Sequence, residues 1–179
     1  MDLKQMLMAS VNLNRSIEQQ KGLSWNPERR LANAYVALDV ELAEVANTSE
    51  WFKVWKTHRG KHDEGKTPEE TLLVEYCDAF DFFLLLASLK KWTAVILDSQ
   101  DHLTAIAAKK PEQFLDKQYL ILKQMLFKSY FNHDQSSFAH AWHLFLKLGL
   151  VDFQFSPEQI QAAFQQKNQL NFERQQNNY

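Results

Sequence analysis

The chain has 179 residues, and its 20 Lys and Arg against 22 Asp and Glu give a formal net charge of −2 with neutral histidines. This balance argues against a protein that coats a polyanion such as nucleic acid. With 45% hydrophobic residues, a chain of this length can build one sizeable core, so we expect a single domain over residues 1–179. Glycine and proline number only four each, which disfavours both a β-sandwich and a disordered chain.

Two further features predict a cytoplasmic protein without a membrane partner. The only cysteine, Cys77, excludes an intramolecular disulfide and a multi-cysteine zinc site, as expected in a reducing compartment. The longest strongly apolar stretch, residues 82–89, is far shorter than the roughly 20 residues that a bilayer span requires.

Helical periodicity, helix start signals and glycine or proline stops predict an all-α fold, and no segment shows the alternation of a strand. The expected helices cover residues 2–20, 27–47, 67–91, 93–109, 112–131, 137–148 and a last segment from 157 onward. The polar residues 58–66, with two glycines, form the clearest loop. We therefore predict a compact bundle of about five to seven helices, with a four-helix-type core that carries a carboxylate metal site.

Two pairs of carboxylates interrupt apolar helical sequence. Glu41 and Glu44 are three residues apart in the second helix, so their side chains lie about 60° apart on one face. Glu75 and Asp78 repeat this spacing in the next long helix, and Asp81 continues their face. If the two helices pack antiparallel, four carboxylates converge between them.

An all-oxygen cluster of this kind suits a hard divalent cation, Mg²⁺ or Mn²⁺, better than zinc or copper. The alternative for either pair alone is a solvated stripe on a helix surface. A di-iron bundle would require Glu-x-x-His on its ligand helices, and neither pair has a histidine at that spacing.

Basic residues that could bind phosphate occur near the pairs and at the C-terminus. Lys53 and Lys56 follow the first pair, and Lys167, Asn171 and Arg174 would share one helical face. A Mg²⁺ ion commonly takes phosphate oxygens as its remaining ligands, so these cations point to a phosphorylated substrate. The alternative is an amphipathic tail that contacts only water.

In chain order, four motifs resemble the dimeric dUTPases, which belong to the all-α nucleoside triphosphate pyrophosphohydrolases together with MazG-like proteins. The similarity spans nearly the whole chain, and its C-terminal motif is the most specific part. The motifs are residues 40–47, residues 52–56, residues 75–78, and the series Lys167-Asn168, Asn171, Arg174-Gln175 and Tyr179.

The resemblance implies a Mg²⁺-dependent dUTP diphosphatase that produces dUMP and pyrophosphate, accepts dUDP and acts as a homodimer. It implies that Glu41, Glu44, Glu75 and Asp78 hold the metal, and that Glu41 orients the attacking water. The residues implied to bind phosphate and sugar are Lys56, Lys167, Asn171, Arg174 and Tyr179. Asn14 and Trp55 are implied to line the uracil pocket, beside the first helix.

The chain departs from the family pattern at three places. Ser10 stands where relatives usually carry glutamine, Asp81 stands where a histidine is common, and Asn178-Tyr179 replaces a Gly-Tyr ending. None of these changes removes an implied metal ligand. Two other functions remain open at this point: a related pyrophosphohydrolase with another nucleotide preference, and a helical interaction module without catalytic activity.

Overall fold

A computed structural model describes residues 1–24 and 26–176, with side chains up to residue 174. The regular secondary structure of these residues is entirely helical, with no β-strand, which confirms the all-α prediction. None of its helices is both long and apolar enough to cross a bilayer. The elements are α1 (Leu3–Gln20), α2 (Pro27–Ser49), α3 (Pro68–Leu89), α4 (Thr93–Asp98), a 3₁₀ turn (Ser99–His102), α5 (Leu103–Ala107), α6 (Leu115–Phe131), α7 (Gln135–Lys147), a π-helical turn (Leu148–Asp152) and α8 (Pro157–Gln176).

Helices α2 and α3 begin at the side-chain caps that the sequence predicts. The Asn26 side chain accepts a hydrogen bond from the backbone N–H of Glu28 at the start of α2. At the start of α3, Thr67 and Glu70 each bond the other's backbone N–H, which completes a capping box. Proline occupies the first position of both helices, where no backbone N–H is needed.

The prediction of one helix over residues 93–109 is wrong in detail, because the chain there forms α4, the 3₁₀ turn and α5. Buried Ser99 lies at the break, where its hydroxyl donates to the Val95 carbonyl and accepts from the indole Nε1 of Trp142 at 3.0 Å. The bond from Trp142 connects this break to α7. From Ser99 onward the chain follows a 3₁₀ turn and leaves the α-helical hydrogen-bonding pattern.

The expected helix end at Gly149 is also wrong, since the chain continues through this residue in the π-helical turn. Gly149 packs directly on the ring of Tyr76, and a Cβ added there would lie 2.3 Å from Tyr76 Cζ. The glycine is therefore a close-approach residue and not a helix terminator.

Helix α3 is the central element, buried on several sides by α1, α2, α7 and α8. Its aromatic side chains stack against α7, with the Tyr76 and Phe145 rings 4.3 Å apart and nearly parallel. Phe80 and Phe83 pack on Trp142 in the same layer. This burial explains why α3 is apolar around most of its circumference.

Helices α2 and α3 pack antiparallel. Pro27 and Leu31, at the start of α2, line the same cavity as Leu89 and Lys90 at the end of α3. In the middle of both helices, Glu41 faces Glu75 and Asp78. Helix α8 lies along α3 on another side, where Lys167 reaches Asp78. These two packings bring the candidate site residues of three helices together.

Candidate metal and nucleotide site

Three carboxylates converge between α2 and α3. One oxygen each from Glu41, Glu75 and Asp78 lies within 4.8 Å of the others, and all three residues are half-buried. We call these three residues the acidic cluster. They converge because each faces the helix interface at matching heights of the antiparallel pair.

Burial and mutual repulsion destabilise the charged forms of the acidic cluster. Burial, followed by the charges of Asp78 and Glu75, raises the pKa of Glu41 to about 7. Burial and the neighbouring Asp78 also raise the pKa of Glu75. Burial raises the pKa of Asp78, although a hydrogen bond from Lys167 opposes this shift. A divalent cation would relieve this repulsion.

Glu44, the fourth predicted metal ligand, lies outside the cluster. Its side chain is exposed, and one carboxylate oxygen accepts a hydrogen bond from Asn47 at 3.3 Å. Its charge is still close enough to raise the pKa of Glu41 and Glu75. Glu44 therefore stands at the open rim of the cluster.

The C-terminal helix α8 contributes a cation that bonds the acidic cluster directly. The Lys167 ammonium donates to Asp78 Oδ2 at 2.6 Å. Arg174 is near enough for its charge to lower the pKa of Asp78. Asn171 lines a small cavity together with Lys167 and Asp78. Tyr179, predicted to bind substrate, lies outside the described residues.

Asp81 and Ser10, two of the departures from the family pattern, meet in the structure. The Ser10 hydroxyl donates to the backbone carbonyl of Asp81 at 3.2 Å. The Oδ1 atom of Asp81 is buried without a hydrogen-bond partner, and burial raises the pKa of this carboxyl to about 6. The structure therefore places a further buried carboxyl group, with one unpaired oxygen, close enough to Asp78 to feel its charge.

Lys56 is held by a residue that the sequence analysis missed. Glu50 follows the last residue of α2 in a left-handed backbone conformation, and its side chain is 2% exposed. Its carboxylate accepts hydrogen bonds from Lys53 at 2.8 Å, Lys56 at 2.6 Å and the backbone N–H of Gly60 at 3.2 Å. Bonds from the two lysines lower the pKa of Glu50 to about 2. We call Glu50, Lys53 and Lys56 the Glu50 ion cluster.

Asn14 lines a cavity of about 220 Å³ between α1, α2 and α3. The cavity is mixed in character, since apolar side chains such as Phe82 and Leu85 line it beside Asn14 and Arg30. Trp55, the other predicted base contact, does not line it. Trp55 is 73% exposed, and among the described aromatic rings its ring contacts only that of Phe52, edge to face with the ring centres 6.4 Å apart.

The site combines an acidic cluster with little opposing positive charge, a lysine bonded to one of its members, and a pocket of about 220 Å³ that α3 also lines. The three described carboxylates form an oxygen donor set that could hold a hard divalent cation. Phe82 of the pocket follows the cluster residue Asp78 by about one helical turn on α3.

Comparison with known proteins agrees with this chemistry. The model of the dUTPase family matches residues 2–179, which is nearly the whole chain. No curated protein matched the sequence. The helical fold, the acidic cluster and the extent of the family match lead to one conclusion: the chain belongs to the all-α dUTPase family and is a hydrolase of the dUTP diphosphatase type.

Proposed function

We propose that this protein hydrolyses dUTP to dUMP and pyrophosphate with Mg²⁺ as its cofactor, that Mn²⁺ can replace Mg²⁺, and that dUDP is a second substrate. Family membership supports dUTP as the substrate. The observation that carries the metal dependence is the convergence of Glu41, Glu75 and Asp78 within 4.8 Å. Carboxylate oxygens are the preferred ligands of Mg²⁺, and it commonly completes its coordination with water and phosphate oxygens.

The electrostatics of the acidic cluster support a resident cation. Three half-buried carboxylates converge, and Lys167 bonds one of them, Asp78. Burial and the charges of Asp78 and Glu75 together raise the pKa of Glu41, which is consistent with this imbalance. Glu41, Glu75 and Asp78 would hold the metal, and Glu44 would complete the set by turning inward from the rim.

Glu41 and Glu44 carry out the hydrolytic step in this proposal. Bound Mg²⁺ supplies charge neutralisation on the phosphate oxygens. Glu41 holds the attacking water and accepts its proton, and Glu44 supports it from the same helix face one turn further on. Both are the catalytic residues of this proposal.

The basic residues bind the rest of the nucleotide. Lys56, Lys167 and Arg174 bind the phosphate chain, and Asn171 and Tyr179 bind the phosphate and sugar. Lys56 and Lys167 already contact carboxylates at 2.6 Å, so they are oriented before substrate arrives. The cavity beside Asn14 accepts the uracil ring. Trp55, which does not line this cavity, contacts the nucleotide from the loop after α2.

Product release from a nucleotide panel tests the proposal. We expect pyrophosphate from dUTP and phosphate from dUDP in Mg²⁺, little turnover of dTTP, dCTP and UTP, and none in EDTA. Turnover of a different nucleotide would retain the metal site and overturn the base assignment. No turnover of any nucleotide, together with no thermal shift from Mg²⁺ and nucleotide, would instead favour a helical interaction module.

We further propose that the protein is a homodimer. One face of α2 and α6 exposes large apolar side chains around an apolar cavity of about 360 Å³. Val36 and Val40 lie on α2, and Leu120, Phe127 and Phe131 lie on α6. A second copy packed on this face would bury that surface. We expect a dimer in sedimentation analysis and a monomer for Leu120→Glu; a dimeric Leu120→Glu variant would move the interface elsewhere.

We also propose that residues 1–179 act as one domain in the cytoplasm. The single thiol, Cys77, is free and buried, which is compatible with a reducing compartment. We expect limited proteolysis to yield one resistant core, as a single domain predicts. We expect cell fractionation to find the protein in the cytoplasm.

A further inference from the structure

Arg30 of α2 and Asn14 of α1 meet in the cavity between α1, α2 and α3. The Nη2 atom of Arg30 donates to Asn14 Oδ1 at 2.9 Å, in a partly buried position. A guanidinium carries donors only, so the end of the Asn14 amide that faces Arg30 must be the carbonyl oxygen. The amide NH₂ group is then the end that Asn14 offers to a ligand.

Glu18 holds Arg30 in this position. Arg30 Nε lies 2.5 Å from Glu18 Oε1, and the Glu18 side chain is only 21% exposed. The contact lacks hydrogen-bond geometry at Nε, so it acts as an ion pair that fixes the place of the guanidinium. Both residues line the same cavity as Asn14, and Glu18 is one helical turn after Asn14 on α1. The chain Glu18, Arg30 and Asn14 therefore connects α1 and α2 across the pocket.

The pocket suits a base and not a whole nucleotide. Its volume of about 220 Å³ is below the 300–1,000 Å³ typical of sites that enclose a drug-sized ligand. Phe82, one turn after the cluster residue Asp78, offers an aromatic edge or face within it. The phosphates of the same ligand would then lie toward the acidic cluster.

Uracil and cytosine differ in the hydrogen-bonding group at ring position 4. Uracil has a carbonyl acceptor there, whereas cytosine has an amino donor. With ring position 4 toward Asn14, an amide that presents its NH₂ group bonds the uracil carbonyl and opposes the cytosine amino group, because two donors then face each other. A freely rotating amide could serve either base by turning over.

We propose that Arg30, held by Glu18, is a positioning residue that fixes the orientation of the Asn14 amide and thereby makes the pocket select uracil over cytosine. This inference rests on the proposed function, since it assumes that the base enters the pocket beside Asn14. Arg30 acts through Asn14 and does not contact the reacting phosphate.

The test measures kcat/KM for dUTP and dCTP, with the inhibition constants of dUMP and dCMP where turnover is too slow to follow. Arg30→Met frees the Asn14 amide, and we expect the dUTP to dCTP preference to fall about 10-fold to 100-fold. Arg30→Lys keeps a donor-only side chain and is expected to restore most of the preference. Arg29→Met, which removes a neighbouring exposed guanidinium that does not line the pocket, is the matched control.

Glu18→Gln provides a second variant that keeps Arg30 but weakens its hold, and a several-fold fall in preference is expected. A purely structural role would lower stability or overall activity in these variants without changing the ratio between the two bases. An unchanged ratio in both Arg30→Met and Glu18→Gln would overturn the inference, as would a wild-type protein that prefers neither base. A wild-type protein with no nucleotide turnover at all would instead overturn the proposed function.

Discussion

Glu41 in α2 and Glu50 directly after it are nine residues apart and have opposite electrostatic environments. Glu41 is half-buried among other carboxylates, and burial together with their charges raises its pKa to about 7. Glu50 is enclosed by Lys53, Lys56 and the Gly60 N–H, and its pKa is lowered to about 2. The difference shows that a buried carboxylate alone does not indicate a site. The informative feature is a carboxylate whose charge the protein leaves uncompensated, because such a group gains from an external cation.

The largest effect that separates the two glutamates is on catalysis. Glu41→Gln removes a charged ligand and the proposed proton acceptor, so we expect kcat for dUTP to fall about a hundredfold or more. Without metal, the same variant should be more stable than the wild type at pH 8, because a repulsive charge is gone, by about 1 to 3 kcal/mol. Steady-state kinetics and metal-free thermal melts measure both quantities. Glu64→Gln, in the exposed loop, is the control, and wild-type activity in Glu41→Gln would remove this residue from the site.

The second effect is on stability and has the opposite sign at Glu50. Glu50→Gln leaves Lys53 and Lys56 without their shared anion and weakens the acceptor of the Gly60 N–H, so we expect a lower Tm at pH 7. Glu64→Gln again serves as the control. If Glu50→Gln melted with the wild type, the Glu50 ion cluster would contribute no net stability and the contrast with Glu41 would fail.

Metal binding should release a proton from the acidic cluster. With its pKa at about 7, Glu41 is about half protonated at pH 7 in the metal-free protein, and a bound cation requires the charged form. Titration calorimetry in two buffers of different ionisation enthalpy should therefore detect release of about half a proton per Mg²⁺. Glu41→Gln should abolish most of this release, whereas Glu50→Gln should leave it unchanged. Equal release in the two variants would contradict the assignment.

The smallest effect is a difference in the pH dependence of stability without metal. Because the folded-state pKa of Glu41 lies above its unfolded value of 4.5, its contribution is complete below about pH 4.5 and is lost as the pH rises through about 7. The folded-state pKa of Glu50 lies below 4.5, so its contribution is present above that pH and is lost as the pH falls toward 2.

Difference curves of Tm between wild type and variant isolate the two windows. Glu41→Gln should change the slope between about pH 4.5 and 7, and Glu50→Gln should change it on the acid side. Asp81, whose pKa of about 6 falls in the first window, titrates in both wild type and variant and cancels in the difference. Coincident difference curves would show that the two environments do not differ as described.

The helices and the pairing of carboxylates could be predicted because both depend on local sequence. The capping residues Asn26 and Thr67 satisfy backbone donors within their own first turn, so their effect is visible over four residues. The three-residue spacing of Glu75 and Asp78 places them on one face of any helix that contains them. The break at Ser99 could not be predicted, since its partner Trp142 lies 43 residues further along the chain.

The roles of Glu50, Arg30 and Gly149 also depend on distant partners. Glu50 is one acidic residue after a helix in the sequence, and only the folded loop brings Lys56 and Gly60 to it. Gly149 looks like a helix terminator until the Tyr76 ring is placed against it. Arg30 lies 16 residues from Asn14, on another helix, and no local pattern links them.

The amino-acid sequence by itself determined the helical class, most helix boundaries and the face on which each carboxylate pair lies, because these follow from helical periodicity and local capping. The tertiary structure decided which charges remain uncompensated. It placed Glu41 beside Glu75 and Asp78, Glu50 beside two lysines, and Asn14 against Arg30. The physical reason is that desolvation and Coulomb energy depend on distances between side chains across helices, which the packing of α1, α2, α3 and α8 sets.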